Sequence, residues 1–380
     1  MGTRTSESGF TLVELMMASM ITLVVMGVAF STFRDALALN EAVVQIGDSS
    51  QNLRAGTNQL VRDLLQAGRN IPTGGIGIPS GPNATAIKRP GPPESGYFFK
   101  NDDEDSTTLT AITTGAGLGP TISGRATDIV TILMDDPYLD ELKLYPSNAA
   151  DEGDDRAILA ADGLSFDVGT QKMSWIIGDK ANAIAPIAKG DIIYFANSSG
   201  TALQVVTAVN GSKVLFEPNK DLFNLNQPNA GAGSITEILP DPCGIIKTCL
   251  AGTKIRRVMM YTYYVHEETP GIPRLMRRMN HAEAQALAGV IEDLDLSYDL
   301  VDGTQNPTNI KDLPHAATVD GVNVTYSANQ IRKVNVHVGV RSEVISVRAN
   351  DYLRNHLSTV ISLRNLAYVD RYDTAEEEDQ

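Results

Sequence analysis

A chain of 380 residues with 42% apolar and 20% charged residues has the balance of a soluble protein, room for one large domain or two modest ones, and excludes a multi-span membrane protein. Thirty-one Lys and Arg against 46 Asp and Glu leave a net charge of −15, which repels polyphosphate and speaks against a nucleic-acid partner. Two cysteines exclude a disulfide scaffold and any site needing three or four thiolates.

The first nine residues are polar. Phe10-Thr11-Leu12-Val13-Glu14-Leu15 follows, and no charge occurs from Leu15 to Phe33. As a helix, Phe10 to Phe33 would span about 36 Å at 1.5 Å per residue, enough to cross a hydrocarbon layer of roughly 30 Å. A secretory signal has a shorter apolar core, roughly 7 to 15 residues, ending at a small-residue cleavage site. A buried core helix fits poorly behind a polar leader, and a plain signal anchor leaves Glu14 unexplained. An ionisable group inside a membrane segment costs several kcal/mol unless a partner relieves it. Glu14 therefore calls for a cation.

Gly9-Phe10-Thr11-Leu12-Val13-Glu14-Leu15 resembles the class III signal of type IV prepilins and type II secretion pseudopilins. The resemblance implies cleavage after Gly9 by a prepilin peptidase, N-methylation of Phe10 as the new first residue, and an assembly role for Glu14. In that family the carboxylate pairs with the N-terminal amine of a neighbouring subunit, each charge compensating the other in low dielectric and fixing the stagger. The leader departs from the usual pattern in being weakly basic, Arg4 standing against Glu7, so the positive-inside bias is modest.

Helical patterning continues past the apolar run. Leu39, Val43, Ile46, Ser50, Leu53, Thr57, Leu60 and Leu64 recur at steps of four and three, one seam of a helix. Gly47 and Gly56, each costing about 1 kcal/mol relative to Ala, predict a soft middle. The expected division is a cleaved leader (1–9), a transmembrane and assembly helix (10–33), its amphipathic continuation (34–70) and a connection (71–125). Within the connection, Ile71 to Gly96 holds six Gly and six Pro and predicts a long surface segment.

Short β-like patterns then dominate: 128–133, 191–195, 203–209 and 214–216, with Asn210-Gly211 a hairpin turn, form a first β-rich unit (126–240). A second β-rich unit (241–370) follows, with strands expected at 257–265, 274–279, 290–300 and 331–347. Within the last of these, Val334, Val336, Val338 and Val340 alternate with polar or small residues, the mark of a sheet covered on one face. Its natural cover is the amphipathic half of the N-terminal helix, giving an α+β, pilin-like fold with an additional β-rich insertion unit. The acidic segment 371–380 reads as a tail.

Further segments resemble PilW-type minor pilins: Leu60 to Gly68, Gly190 to Tyr194, Gly289 to Leu294 and Ser362 to Leu366, in the family's order. This class is similar to the J-type pseudopilin of type II secretion. Ser31 stands where major pilins usually carry a helix-kinking Pro, which favours a minor subunit.

Cys243 and Cys249 enclose five residues, and export to an oxidising compartment would permit a local disulfide between them; two unpaired thiols fit the spacing equally. The acidic clusters holding Asp102, Asp103 and Asp105, and Asp151, Asp154 and Asp155, offer hard oxygen ligands suited to calcium. Neither has the spaced ligands of a twelve-residue calcium loop, so both read as solvated loops. No catalytic elbow, phosphate loop or paired-histidine metal motif occurs, and the expectation is a non-enzyme without a cofactor.

The resemblance implies a minor pilin that helps assemble or initiate a type IV pilus. Its partners would be other major and minor pilins, prepilin peptidase and inner-membrane assembly machinery. It would sit in the bacterial inner membrane as a single-pass protein, its C-terminal part outside the cytoplasm, and then in the pilus at the cell surface. A type II secretion pseudopilin is the alternative within the class; a membrane-tethered adhesin or binding module is the alternative from another.

Overall fold

The computed structural model describes residues 9–92, 107–139, 141–146, 156–159, 165–167, 187–211, 213–230, 232–238, 253–303, 305–346 and 349–366. Cys243, Cys249, Asp102, Asp103, Asp105, Asp151, Asp154, Asp155 and the tail lie outside these residues. The chain divides into two compact units, Met1–Gln51 with Arg341–Asn355, and Asn52–Val340 with His356–Gln380.

One helix, α1, runs from Leu12 to Gln66. No proline interrupts it, and long unbranched side chains and alanines favour it. It stops at Gly68, whose φ of 75° is left-handed and whose N–H turns to the Leu133 carbonyl at 2.9 Å. In the first unit, Asn355 donates to the Ser50 hydroxyl at 2.9 Å, and the Arg341 guanidinium lies 3.9 Å from the Tyr352 ring centroid.

In the second unit the last turns of α1 bury Leu53, Thr57, Leu60 and Leu64, and Ala67 just after the helix is buried with them. Leu53, Thr57, Leu60 and Leu64 belong to the expected seam, whose earlier members Leu39, Val43 and Ile46 are exposed; Leu53, Leu60 and Leu64 join the main core with Leu275, Ala288, Ile291, Leu294, Val334, Val336, Val338 and Val340. Gly56 is not a soft spot. A Cβ there would stand 2.7 Å from the Ala288 Cβ, so the missing side chain is what lets helix and sheet meet.

The strands used below are β1 (Val130–Asp135), β2 (Ile192–Asn197), β3 (Gly200–Val205), β4 (Lys254–Thr269), β5 (Ile272–Met279), β6 (Gln285–Gly289), β7 (Ile291–Leu300), β8 (Ile331–Arg341) and β9 (Arg354–Ser362). Strands β1 to β6 belong to a twelve-stranded sheet, and β7-β8-β9 form a three-stranded one. At 16 residues β4 is the hub, pairing antiparallel with β2 through Lys254 to Val258, with β5 through Tyr261 to Thr269 and with β1 through Val258 to Tyr263. A parallel pair, Leu142–Pro146 with Arg156–Leu159, interrupts the antiparallel pattern.

Strand β2 is covered on both faces. Ile192 and Tyr194 face the main core, while Ile193 and Phe195 face a second cluster in which Phe166, Phe195 and Phe216 pack with centroids 5.7 to 6.4 Å apart. In β8 the alternation is one-sided as expected, with Val334, Val336, Val338 and Val340 buried. That strand ends at Arg341 rather than Val347, because Ser342 takes the Leu353 N–H on its hydroxyl and turns the chain. The Asn210-Gly211 turn joins the paired segments Ala208–Asn210 and Lys213–Leu215.

The Gly- and Pro-rich stretch after α1 is not wholly a surface segment. Ile76, Ile78 and Ile87 are fully buried. Arg89, also buried, donates Nε to the Thr131 hydroxyl at 3.0 Å, Nη1 to the Thr114 carbonyl at 2.5 Å, and Nη2 to the Thr113 and Ile129 carbonyls at 2.7 and 2.9 Å. Burial pushes this guanidinium down to about 10, so it stays charged at neutral pH and stitches the stretch to β1.

Candidate functional site: the N-terminal assembly segment

Gly9 and Phe10 precede the helix and are exposed, Phe10 at 91%. Thr11 is the helix cap. Glu14 accepts the Thr11 backbone N–H at 2.9 Å and its hydroxyl at 3.0 Å, both on Oε2, while the Glu14 N–H donates to Thr11 Oγ1 at 3.3 Å. This reciprocal capping box satisfies two otherwise orphaned donors at the helix start. The Thr11-Leu12-Val13-Glu14 spacing is the box's sequence signature, so this second role of Glu14 was readable from sequence. Both partners lie after Gly9, and the box does not depend on residues 1–9.

Oε2 carries both contacts from Thr11. The box thus holds the carboxylate against Thr11 at the helix entry.

From Leu12 to Phe33 the large apolar side chains are exposed, from 54% at Met26 to 75% at Leu12. Three of the segment's hydroxyls turn inward on the helix. Ser19 donates to the Met16 carbonyl at 2.8 Å, Thr22 to Ala18 at 2.8 Å, and Thr32 to Val28 at 2.9 Å. Hydroxyls satisfied within their own helix carry little penalty in an apolar phase. Among the described residues α1 is the one helix long and apolar enough to cross a membrane, with a mean hydropathy of 2.1 in its most apolar window.

Two buried ionic groups escaped the sequence reading. Asp63 accepts the Tyr263 hydroxyl at 2.6 Å and the Arg277 Nε–H at 2.7 Å, tying α1 to β4 and β5. Arg257 on β4 donates Nε to Asp136 at 2.6 Å and Nη1 to Asp191 at 3.0 Å, beside the Gly190 turn. Burial, aided by the nearby Asp136 charge, raises the Asp191 carboxyl above its usual range although Arg257 opposes it. These residues fasten the fold of the second unit.

No match was found among curated proteins or among solved structures. Residues 4–30 match the family described as "Prokaryotic N-terminal methylation motif". That match contains Gly9, Phe10, Thr11 and Glu14, and with the apolar helix and the antiparallel sheets behind it supports a type IV pilin-like or pseudopilin-type structural subunit, anchored in a membrane and processed by prepilin peptidase.

Proposed function

We propose that this protein is a minor pilin: a subunit stored in the bacterial inner membrane, cut after Gly9, N-methylated at Phe10 and drawn into a type IV pilus, where it helps start or cap the filament. The observation that carries this reading is the methylation motif continued by an exposed apolar helix with a single carboxylate, Glu14, at its entry. Glu14 pairs with the N-terminal ammonium of a neighbouring pilin. In low dielectric that pair is favourable only at one axial stagger, so it sets register. The work is assembly rather than turnover. Ser31, in place of a kinking Pro, supports the minor over the major subunit.

The N-terminal segment serves a secretion pseudopilin equally well, and the two machines are told apart by phenotype. Recovery of the protein in sheared surface filaments supports the pilus; loss of enzyme export on deletion, with pili intact, replaces it with the pseudopilus.

A further inference from the structure

Just past β5 the chain turns at Asn280, whose φ of 45° is left-handed. Its backbone N–H donates to the Met260 carbonyl at 2.8 Å, and its side-chain Oδ1 accepts the Met260 N–H at 2.7 Å. This pairing with β4 gives the next residue, His281, a fixed base. Gly190 lets the neighbouring turn close on it, since a Cβ there would stand 2.5 Å from the His281 Cβ.

The His281 Nε2 accepts the Leu222 backbone N–H at 2.9 Å. An amide N–H only donates, so Nε2 carries the lone pair and the ring proton sits on Nδ1. The imidazole is therefore neutral here, and the Phe223 ring meets it edge to face with centroids 5.2 Å apart.

Leu222 opens a segment that grips another part of the chain. The Phe223 carbonyl accepts the Lys88 N–H at 2.8 Å, and Asn224 Nδ2 donates to the Ala86 carbonyl at 3.1 Å. Gln227 accepts the Thr85 N–H at 2.7 Å and donates to the Thr85 carbonyl at 2.8 Å. Residues 222–227 thus link His281 to the Thr85–Lys88 stretch that leads into the buried Arg89.

The charges around the ring come from three segments. Burial, then the Arg278 charge on β5, hold the imidazole below its ordinary value; Lys189 ahead of β2 adds to this, and Asp221 opposes it. Asp221 is itself engaged, accepting the Leu225 N–H at 2.6 Å and the Asn226 N–H at 3.4 Å.

We propose that His281 is an acid-released latch: a proton taken up at Nε2 turns the acceptor into a second donor facing the Leu222 N–H, breaks that bond, and loosens residues 222–227 and the Thr85–Lys88 stretch they hold. The folded state binds this proton less readily than the unfolded chain does. The latch's contribution is therefore full above the unfolded value of about 6.5 and is lost as pH falls below it. The device is independent of the assembly role of Glu14.

The test is amide hydrogen exchange of the full-length chain in detergent, corrected for the intrinsic rate and compared at about pH 7.5 and about pH 5. Protection of residues 218–227 should fall roughly tenfold or more on acidification, while that of β8 stays unchanged. His281→Gln cannot titrate in this range, so its segment should be equally protected at both pH values. An NMR titration of the unmodified protein needs no variant, and should show the Nδ1–H tautomer with an apparent pKa below the ordinary value. Protection of 218–227 that does not change with pH, a loss shared equally by β8 or repeated in His281→Gln, or a ring that titrates at or above its ordinary value would overturn the proposal.

Discussion

Asp63 on α1 and Arg277 on β5 form a nearly buried ion pair, with Arg277 Nε 2.7 Å from Asp63 Oδ2 and side-chain exposures of 6% and 16%. The Tyr263 hydroxyl completes the carboxylate's shell, and the Arg277 guanidinium lies 3.9 Å from the Tyr261 ring centroid. Helix and sheet are held here by one geometry as well as by apolar area. Removing the carboxylate alone strands a buried cation, and Asp63→Ala should cost about 3–5 kcal/mol. The double change Asp63→Leu with Arg277→Met should cost far less. Urea unfolding of the detergent-solubilised chain measures both, and equal losses would mean the pair is not the coupling.

The two glycines in the soluble-side half of α1 should respond oppositely to alanine. At Gly56 the new Cβ would collide with Ala288, and overpacking of about 1–3 kcal/mol should exceed the roughly 1 kcal/mol gained in helix propensity. At Gly47 nothing lies within 4 Å, so Gly47→Ala should stabilise the helix by up to about 1 kcal/mol. Amide exchange along α1 reads each effect locally.

Asp128 couples the Gly115–Gly119 loop to β7, its two oxygens accepting the Gly117 N–H at 2.8 Å and the Leu296 N–H at 2.7 Å. Burial raises this carboxyl above its model-peptide value of 3.8 despite those bonds. For an acid with a raised folded pKa, the folded state binds the proton more readily. Its contribution to stability therefore grows as pH falls through the raised pKa toward 3.8 and is lost above it. Asp128→Asn cannot titrate, so the stability of the unmodified protein relative to this variant should increase between pH 7 and pH 4.5. Paired urea midpoints at the two pH values check the sign.

Much of this was legible in the chain. The apolar run, the seam through Leu53, Leu60 and Leu64, and the valine alternation of β8 each report a single burial pattern, and each stands where the spacing placed it. Strand β9 was missed because it is an edge strand. Arg354, His356, Ser358, Val360 and Ser362 are exposed, and Ile361 alone is fully buried, which leaves no apolar alternation to detect. Asp63 and Arg89 were missed for another reason. A buried charge is recognised by its partners, and those of Asp63 lie about two hundred residues away. The Gly- and Pro-rich stretch misled in the same way, since composition marks turns but does not say whether Ile76 or Ile87 between them is buried.

At the N-terminus, Thr11 and Glu14 should separate in their effects. Thr11→Val removes the cap and should cost the helix start about 0.5–2 kcal/mol while leaving a carboxylate to pair, so incorporation should fall only partly. Glu14→Ala removes the charge itself and should abolish incorporation while leaving cleavage after Gly9 intact. The fraction of each variant in sheared filaments, set beside its processed fraction in membranes, gives both quantities.

Mass analysis of the N-terminus of the native protein decides whether the mature chain begins at Phe10. The expected N-terminus is N-methyl-phenylalanine at position 10. An intact Met1, or cleavage near Phe33, would contradict the account.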